Sequence, residues 1–348
     1  WLFSLHPNHG RKQEMKTLLY FEDANGIKAS GIGRARSHQM RALKSVGIDF
    51  TTNPKEKGYV LAHINTLWAK SHSVLRKCHK QGIPVIVHGH STYEDFRNSF
   101  RCWKLIEPTF DRQIKYMYSH ADYIITPTPY SKKLIESYGF NKKVVAISNG
   151  IDLNEYKEDK NAQKLFKEKF GLKEDEPFVM GIGFPFERKG LHDFIEVARS
   201  FPNIKFFWFG HLAHILTSTK MLKAMKNKPD NVILPGYVKG ELIHGALQSA
   251  TCLFFPSYEE TEGIVVLEAL ASKCPLVLRN IGVYKPWLED KKSAHFCNNN
   301  EEFRQEIENL LKNGEDPTIL ENGYHVAEER SLDKIGQQLK AAYEECIS

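Results

Sequence analysis

Ten short runs rich in Val, Ile, Leu and Phe recur along the 348-residue chain, with helical patterns between them. That alternation restricts the fold more than any other feature. The first five are 16–21, 60–65, 84–89, 123–127 and 144–148; the second five are 178–183, 205–210, 232–236, 251–257 and 275–279. Continuous apolar strands separated by helices read as parallel sheets covered on both faces. The pattern restarts after a polar stretch, Asn149 to Glu176, and the length suits two units of about 150 residues. The expected architecture is therefore α/β, with two Rossmann-like domains in tandem. The expected division is an N-terminal domain over 15–149, a C-terminal domain over 150–330 and a final helix over 331–348. Residues 1–14 are set aside as an extension ahead of Met15, with no long apolar core of a signal peptide. In open parallel sheets ligands bind beyond the carboxyl ends of the strands, so the residues just after each run are the ones to read for chemistry.

The most informative of these is Pro256 to Ala271, P-S-Y-E-E-T-E-G-I-V-V-L-E-A-L-A. Gly263 permits a tight loop into a helix, and the amides of Gly263, Ile264 and Val265 then form an anion site at its N-terminus. Glu260 and Glu268 stand eight residues apart, and Glu268 is suited to accept bonds from vicinal ribose hydroxyls. This string resembles the E-x7-E signature of retaining glycosyltransferases of family 4, which have the GT-B fold of two Rossmann-like domains facing across a cleft.

The resemblance runs from Met15 to the C-terminus and implies roles for further residues. It makes Glu260 the contact to the donor sugar and Glu268 the contact to the ribose. In Ser30-Gly31-Ile32-Gly33-Arg34-Ala35, Gly31 and Gly33 let backbone amides approach the donor diphosphate and the reacting carbon. In the segment after strand 178–183, Gly183 ends the strand, and Arg188 and Lys189 neutralise the leaving diphosphate. The family usually has an arginine where this chain has Phe184, so the cation on the distal phosphate is open. His90, in H-G-H-S-T-Y-E-D-F, is the histidine that meets the transferred sugar. Gly236, Tyr237 and Val238 resemble a base-binding loop, and Asn149-Gly150-Ile151-Asp152 an interdomain link. The expected catalytic set is His90, Glu260, Arg188 and Lys189, with UDP-glucose or UDP-galactose as donor and no cofactor.

Charge points to the acceptor. Up to residue 150 there are 23 Lys and Arg against 11 Asp and Glu; beyond it there are 25 against 31. Such asymmetry suits one half facing an anionic surface. Phe96, Phe100 and Trp103 fall at i, i+4, i+7 with Arg97, Arg101 and Lys104 beside them, and Trp68 stands in a second basic stretch. A basic, aromatic amphipathic helix lies in a membrane interface, so these seven residues form the expected membrane and acceptor set. The strings S-G-I-G-R-A, H-I-N-T and H-G-H-S-T-Y-E-D-F-R-N-S-F resemble bacterial glycolipid synthases, above all those adding α-galactose to glucosyl-diacylglycerol. The expected product is a glycolipid or lipoteichoic acid anchor. A soluble or polymeric envelope acceptor is the alternative.

Several classes are disfavoured. There is no D-x-D metal motif, no P-loop motif and no recognised nucleic-acid motif, so neither a metal site nor a nucleic-acid partner is expected. The six cysteines are scattered with no C-x-x-C pair, which suits a reducing cytosol. No apolar run approaches the roughly 20 residues that cross a bilayer. The expected location is cytoplasmic, peripheral on the inner face of the membrane.

Overall fold

A computed structural model describes residues 15–22, 31–238 and 240–348; the extension expected over 1–14, and Ser30, lie outside the described residues. Among the described residues twelve strands form two six-stranded sheets. They are β1 Lys16–Tyr20, β2 Asp49–Thr51, β3 Leu61–Ile64, β4 Val85–His88, β5 Tyr123–Thr126, β6 Lys143–Ala146, β7 Phe178–Ile182, β8 Lys205–Phe209, β9 Val232–Gly236, β10 Cys252–Phe255, β11 Leu276–Arg279 and β12 His295–Cys297. The sheet orders are β2-β1-β3-β4-β5-β6 and β12-β11-β10-β7-β8-β9. Every pairing is parallel, with Leu18 beside Ala62 in the first sheet and Leu253 beside Met180 in the second.

The α/β class with two parallel sheets is as the apolar runs imply. Central strands such as β3, β4, β5 and β10 are buried at every position, as sheets covered on both faces require. Each sheet carries one apolar cluster on either side. The two strands absent from the sequence reading, β2 and β12, are three-residue edge strands, D-F-T and H-F-C, with too little apolar length to stand out.

The two orders place the chemistry. In the second sheet the chain runs outward from β7 to β9 and then returns to lay β10 beside β7. In the first it runs from β1 out to β2 and back to β3 on the other side of β1. The carboxyl ends of β1, β3, β7 and β10 are thus the switch points where a crevice opens.

The chain passes between the halves twice, at adjacent places. Ile151 donates its N–H to the Arg330 carbonyl at 2.9 Å, and Ile151 bridges Ser331. After the second passage the helix Leu332–Ile347 lies on the helix Gly31–Ser45. A Cβ on Gly336 would stand 2.3 Å from the Ala42 carbonyl, so only glycine allows this approach. Ile335, Leu339, Ala342 and Tyr343 complete the apolar cluster behind β1, β3, β4 and β5. Each fully buried Ile or Leu contributes about 1.5–3 kcal/mol, enough to hold the helix there.

Candidate active site

After β7 the chain makes a single helical turn, Glu187–Lys189, closed by Gly190 at φ +75°. A Cβ on Gly190 would meet the Pro256 carbonyl at 2.3 Å, so this turn is pressed directly against the end of β10. That approach sets Lys189 in an ion pair with Glu260, which also accepts from the Ser257 hydroxyl at 2.6 Å. Arg188 Nη1 lies 3.9 Å from the same carboxylate. Burial by itself would raise the Glu260 carboxyl, but Lys189 and Arg188 outweigh it and hold it below its ordinary value. Burial pushes the Lys189 ammonium down, and Glu260 opposes that.

The loop from Pro256 ends at Gly263, φ +82°, which opens the helix Ile264–Ala271 with no side-chain cap on its first amides. Glu268, on that helix, is buried, and its carboxylate is 2.5 Å from Arg34 Nη1, which also donates to the Tyr156 hydroxyl at 2.9 Å. Burial raises the Glu268 carboxyl despite Arg34. Arg34 comes from the first half, in the first turn of the helix Gly31–Ser45, so this pair spans the crevice. A Cβ on Gly31 would meet nothing within 4 Å. Gly236, φ +81°, turns the chain at the end of β9, leaving Tyr237 half-exposed and close enough to Arg34 to act on its charge. Val238 packs instead against the core of the second half.

On the first half, β3 and β4 deliver three buried histidines in a row. His90 and His88 stack with ring centres 3.9 Å apart, and His88 Nδ1 is 3.0 Å from His63 Nε2. His63 Nδ1 is 2.7 Å from the Tyr343 hydroxyl on the C-terminal helix. His90 Nε2 is 2.9 Å from the Asn65 side-chain carbonyl. Burial pushes His63 and His90 each down to about 3, so both rings are neutral at physiological pH.

Several contacts seal the crevice between the halves. Arg188 Nε donates to the Ser99 hydroxyl at 2.7 Å, and its Nη1 to the Glu259 carbonyl at 3.0 Å. Tyr130 donates to the Glu259 carboxylate at 3.0 Å, and Thr128 to the Thr261 carbonyl at 2.8 Å. Glu262, fully buried, accepts from Ser148 and from both the backbone and side chain of Asn149. Burial pushes the Glu259 carboxyl up to about 7.

At the ends of β7 and β10 the structure thus brings Lys189 and Arg188 to Glu260, and across the halves Arg34 to Glu268, while His90 sits in the histidine row after β4 and Gly31 opens the helix that carries Arg34. Arg34, Tyr130, Tyr156, Glu259 and Glu262 were not singled out from the sequence. Arg34 stands inside the glycine string already noted, and Tyr130 follows β5, where the strand-end rule points.

Residues 50–155 match the family described as "Glycosyltransferase Family 4", and residues 162–325 the one described as "Glycosyl transferases group 1". The chain is 52% identical over 335 residues to the "Processive diacylglycerol alpha-glucosyltransferase" of Acholeplasma laidlawii, covering 96% of this chain and 99% of that one. The chain is a family 4 glycosyltransferase. The "Alpha-galactosylglucosyldiacylglycerol synthase" of Streptococcus pneumoniae is 27% identical over 190 residues, 53% of this chain and 50% of that one. The likeness to enzymes adding α-galactose is thus real but weaker than the likeness to a glucosyltransferase. Among solved structures, Anabaena HepE in complex with UDP and glucose superposes on this glycosyltransferase with a TM-score of 0.75 at 16% identity, covering 95% of this chain and all of that one. Sucrose-phosphate synthase from Thermosynechococcus elongatus gives 0.78, also at 16% identity, over 95% of this chain and 98% of that one. Both share the GT-B architecture.

The expected interfacial helix of this glycosyltransferase is not formed. Phe96 ends a four-residue helix, Tyr93–Phe96; Arg97 is extended; Cys102 sits at φ +57°; and a new helix runs Trp103–His120. The chain doubles back so that Phe96 stacks on Phe110 with centres 3.9 Å apart, and Phe96 is buried. Phe100 and Trp103 also pack on this core, and Arg97 pairs with Glu107. Tertiary packing has overridden the apparent i, i+4, i+7 stripe. Of the expected set Trp68, Arg101 and Lys104 are exposed, and Leu105 at 80% exposure and Ile106 are exposed apolar residues that the set did not include. In the second half Ile215 and Leu216 are also exposed, and the Leu216 carbonyl accepts from the Arg101 amide at 2.8 Å. Among the described residues no helix is long and apolar enough to cross a membrane.

Proposed function

We propose that this glycosyltransferase transfers glucose from UDP-glucose, with retention of configuration, to a diacylglycerol-based lipid presented at an anionic membrane surface on the cytoplasmic side. The observation that carries this reading is the 52% identity, over nearly both whole chains, to a diacylglycerol α-glucosyltransferase. The pairing of Lys189 and Arg188 with Glu260, and of Arg34 with Glu268 across the halves, supports it. That similarity also favours glucose over galactose.

In this reading residues 150–330 hold the nucleotide sugar, 15–149 receive the lipid and 331–348 brace the first half. Gly263, Ile264 and Val265 present amides to the diphosphate while Glu268 takes the ribose hydroxyls. Gly236, Tyr237 and Val238 flank the base, and Gly183 lines the donor floor. Lys189 and Arg188 stabilise charge on the departing diphosphate, the largest single contribution in such a step. Glu260, fixed by Lys189 and Ser257, orients the sugar. His90 is neutral and serves as a hydrogen-bonding group. The acceptor hydroxyl attacks on the face that UDP leaves, and a donor phosphate oxygen takes its proton. Charge neutralisation falls to side chains and amides, with no cofactor.

The lipid approaches over the face formed by Trp68, Leu105 and Ile106, with Arg101 and Lys104 meeting anionic headgroups. The deciding assay crosses UDP-glucose and UDP-galactose against diacylglycerol and glucosyl-diacylglycerol in anionic vesicles. Release of UDP with UDP-glucose and either lipid is expected. Turnover confined to a soluble or polymeric acceptor would overturn the proposal.

A further inference from the structure

Lys189 and Arg188 approach the expected diphosphate position, yet Lys189 is already paired with Glu260. Arg188 faces the same two negative charges of a nucleotide-sugar diphosphate, and it too is partly spent, on the Ser99 hydroxyl and the Glu259 carbonyl. Phe184, the first residue beyond Gly183, brings no charge. A third cation nevertheless stands in the crevice. Arg34 is held 2.5 Å from Glu268, with its side chain about one-third exposed at 34%.

We infer that Arg34 is a donor-binding residue that exchanges partners: Glu268 holds it while the crevice is empty, and the donor diphosphate takes it when the ribose occupies Glu268. This rests on the proposed use of a nucleotide sugar and on Glu268 as the ribose contact. Vicinal hydroxyls engage both oxygens of a carboxylate, which displaces the guanidinium from its ion pair. A guanidinium in a sheltered crevice needs a new acceptor, and the diphosphate joins the same ribose at its 5′ position. The planar fork of arginine suits phosphate oxygens in a bidentate way. Its place in the first turn beside Gly31 directs it to where the first half meets the donor. Because Arg34 belongs to the first half and Glu268 to the second, the exchange also ties closure of the crevice to a ligand carrying both ribose and phosphate.

The test is calorimetric titration of the full chain and its Arg34→Ala, Arg34→Lys and Glu268→Gln variants with UDP and with uridine, which lacks the phosphates. Losing a charge-assisted contact predicts that Arg34→Ala weakens UDP by about 10- to 100-fold. Uridine should bind Arg34→Ala as well as the unaltered chain or better, since Glu268 no longer has a competing partner. Arg34→Lys should recover part of the UDP affinity, and Glu268→Gln should weaken both ligands. Unchanged UDP affinity in Arg34→Ala would overturn the inference. So would an equal loss for UDP and uridine, which marks a merely structural role. An unaltered chain that binds no UDP would remove the proposed function itself, a result distinct from either.

Discussion

Replacing Lys189 by methionine separates the two roles its ammonium has, holding Glu260 and meeting the donor. The substitution keeps most of the apolar stem and strands the Glu260 carboxylate, which is 6% exposed, with Arg188 3.9 Å away and the Ser257 hydroxyl at 2.6 Å. Breaking a buried ion pair from one side costs about 3–5 kcal/mol. The remaining Arg188 attraction is about 4 kcal/mol at 3.9 Å and an effective dielectric near 20, before desolvation, so the lower end, about 3 kcal/mol, is expected. For units of this size that lowers the melting midpoint by about 6–12 °C. Turnover should fall by about 10²–10³, the usual cost of removing one preorganised charge contact. The informative comparison is the double variant Lys189→Met with Glu260→Gln. Removing both charges relieves the stranded carboxylate, so most of the lost stability should return while turnover stays low. Thermal melts and UDP release, read on the same preparations, give both numbers. A Lys189→Met turnover within tenfold of normal would refute the role given to this cation, and so would a double variant that regained activity.

Three other outcomes are expected. Burial raises the Glu259 carboxyl from 4.5 to about 7, so between those values the folded chain binds a proton that the unfolded chain has released. Its stabilising contribution is full below pH 4.5 and is lost as pH rises through 7; Glu259→Gln should flatten that part of the melting-temperature profile between pH 5 and 8. Tyr343→Phe removes the hydroxyl 2.7 Å from His63 Nδ1, leaving a buried ring nitrogen without a partner; a loss of about 1–3 kcal/mol in urea unfolding is expected. Leu105→Ser with Ile106→Ser should cut co-sedimentation with anionic vesicles by tenfold or more, since each buried aliphatic side chain is worth about 1.5–3 kcal/mol, while stability stays within about 0.5 kcal/mol.

The strands were legible because each central one is a continuous apolar run, and burial on both faces demands that composition. β2 and β12 were not, since a three-residue edge strand leaves no such trace. Glu260, Glu268, Arg188 and Lys189 could be placed because each follows a strand of the second half at short range. Arg34 and Tyr130 act on residues more than a hundred positions away, and nothing local announces such a partner. The single helix expected through Phe96, Phe100 and Trp103 is absent for the opposite reason. Phe96, Phe100 and Trp103 fit a helical period, but left-handed backbone at Asn98 and Cys102 lets the chain fold back, and the aromatic rings are worth more against Phe110 than in a stripe. Leu105 and Ile106 were the exposed pair, and two aliphatics among charges make no pattern by themselves.

The two adjoining passages of the chain between the halves, stapled where Ile151 meets Arg330 and Ser331, work like paired hinges on one door. A single strap would let one half swivel freely beneath the other. Two side by side resist torsion and leave chiefly a swing. A frame tied in this way keeps the same residues of the two halves opposite one another, so the meeting of Arg34 with Glu268 is inherited from the frame and need not be searched for.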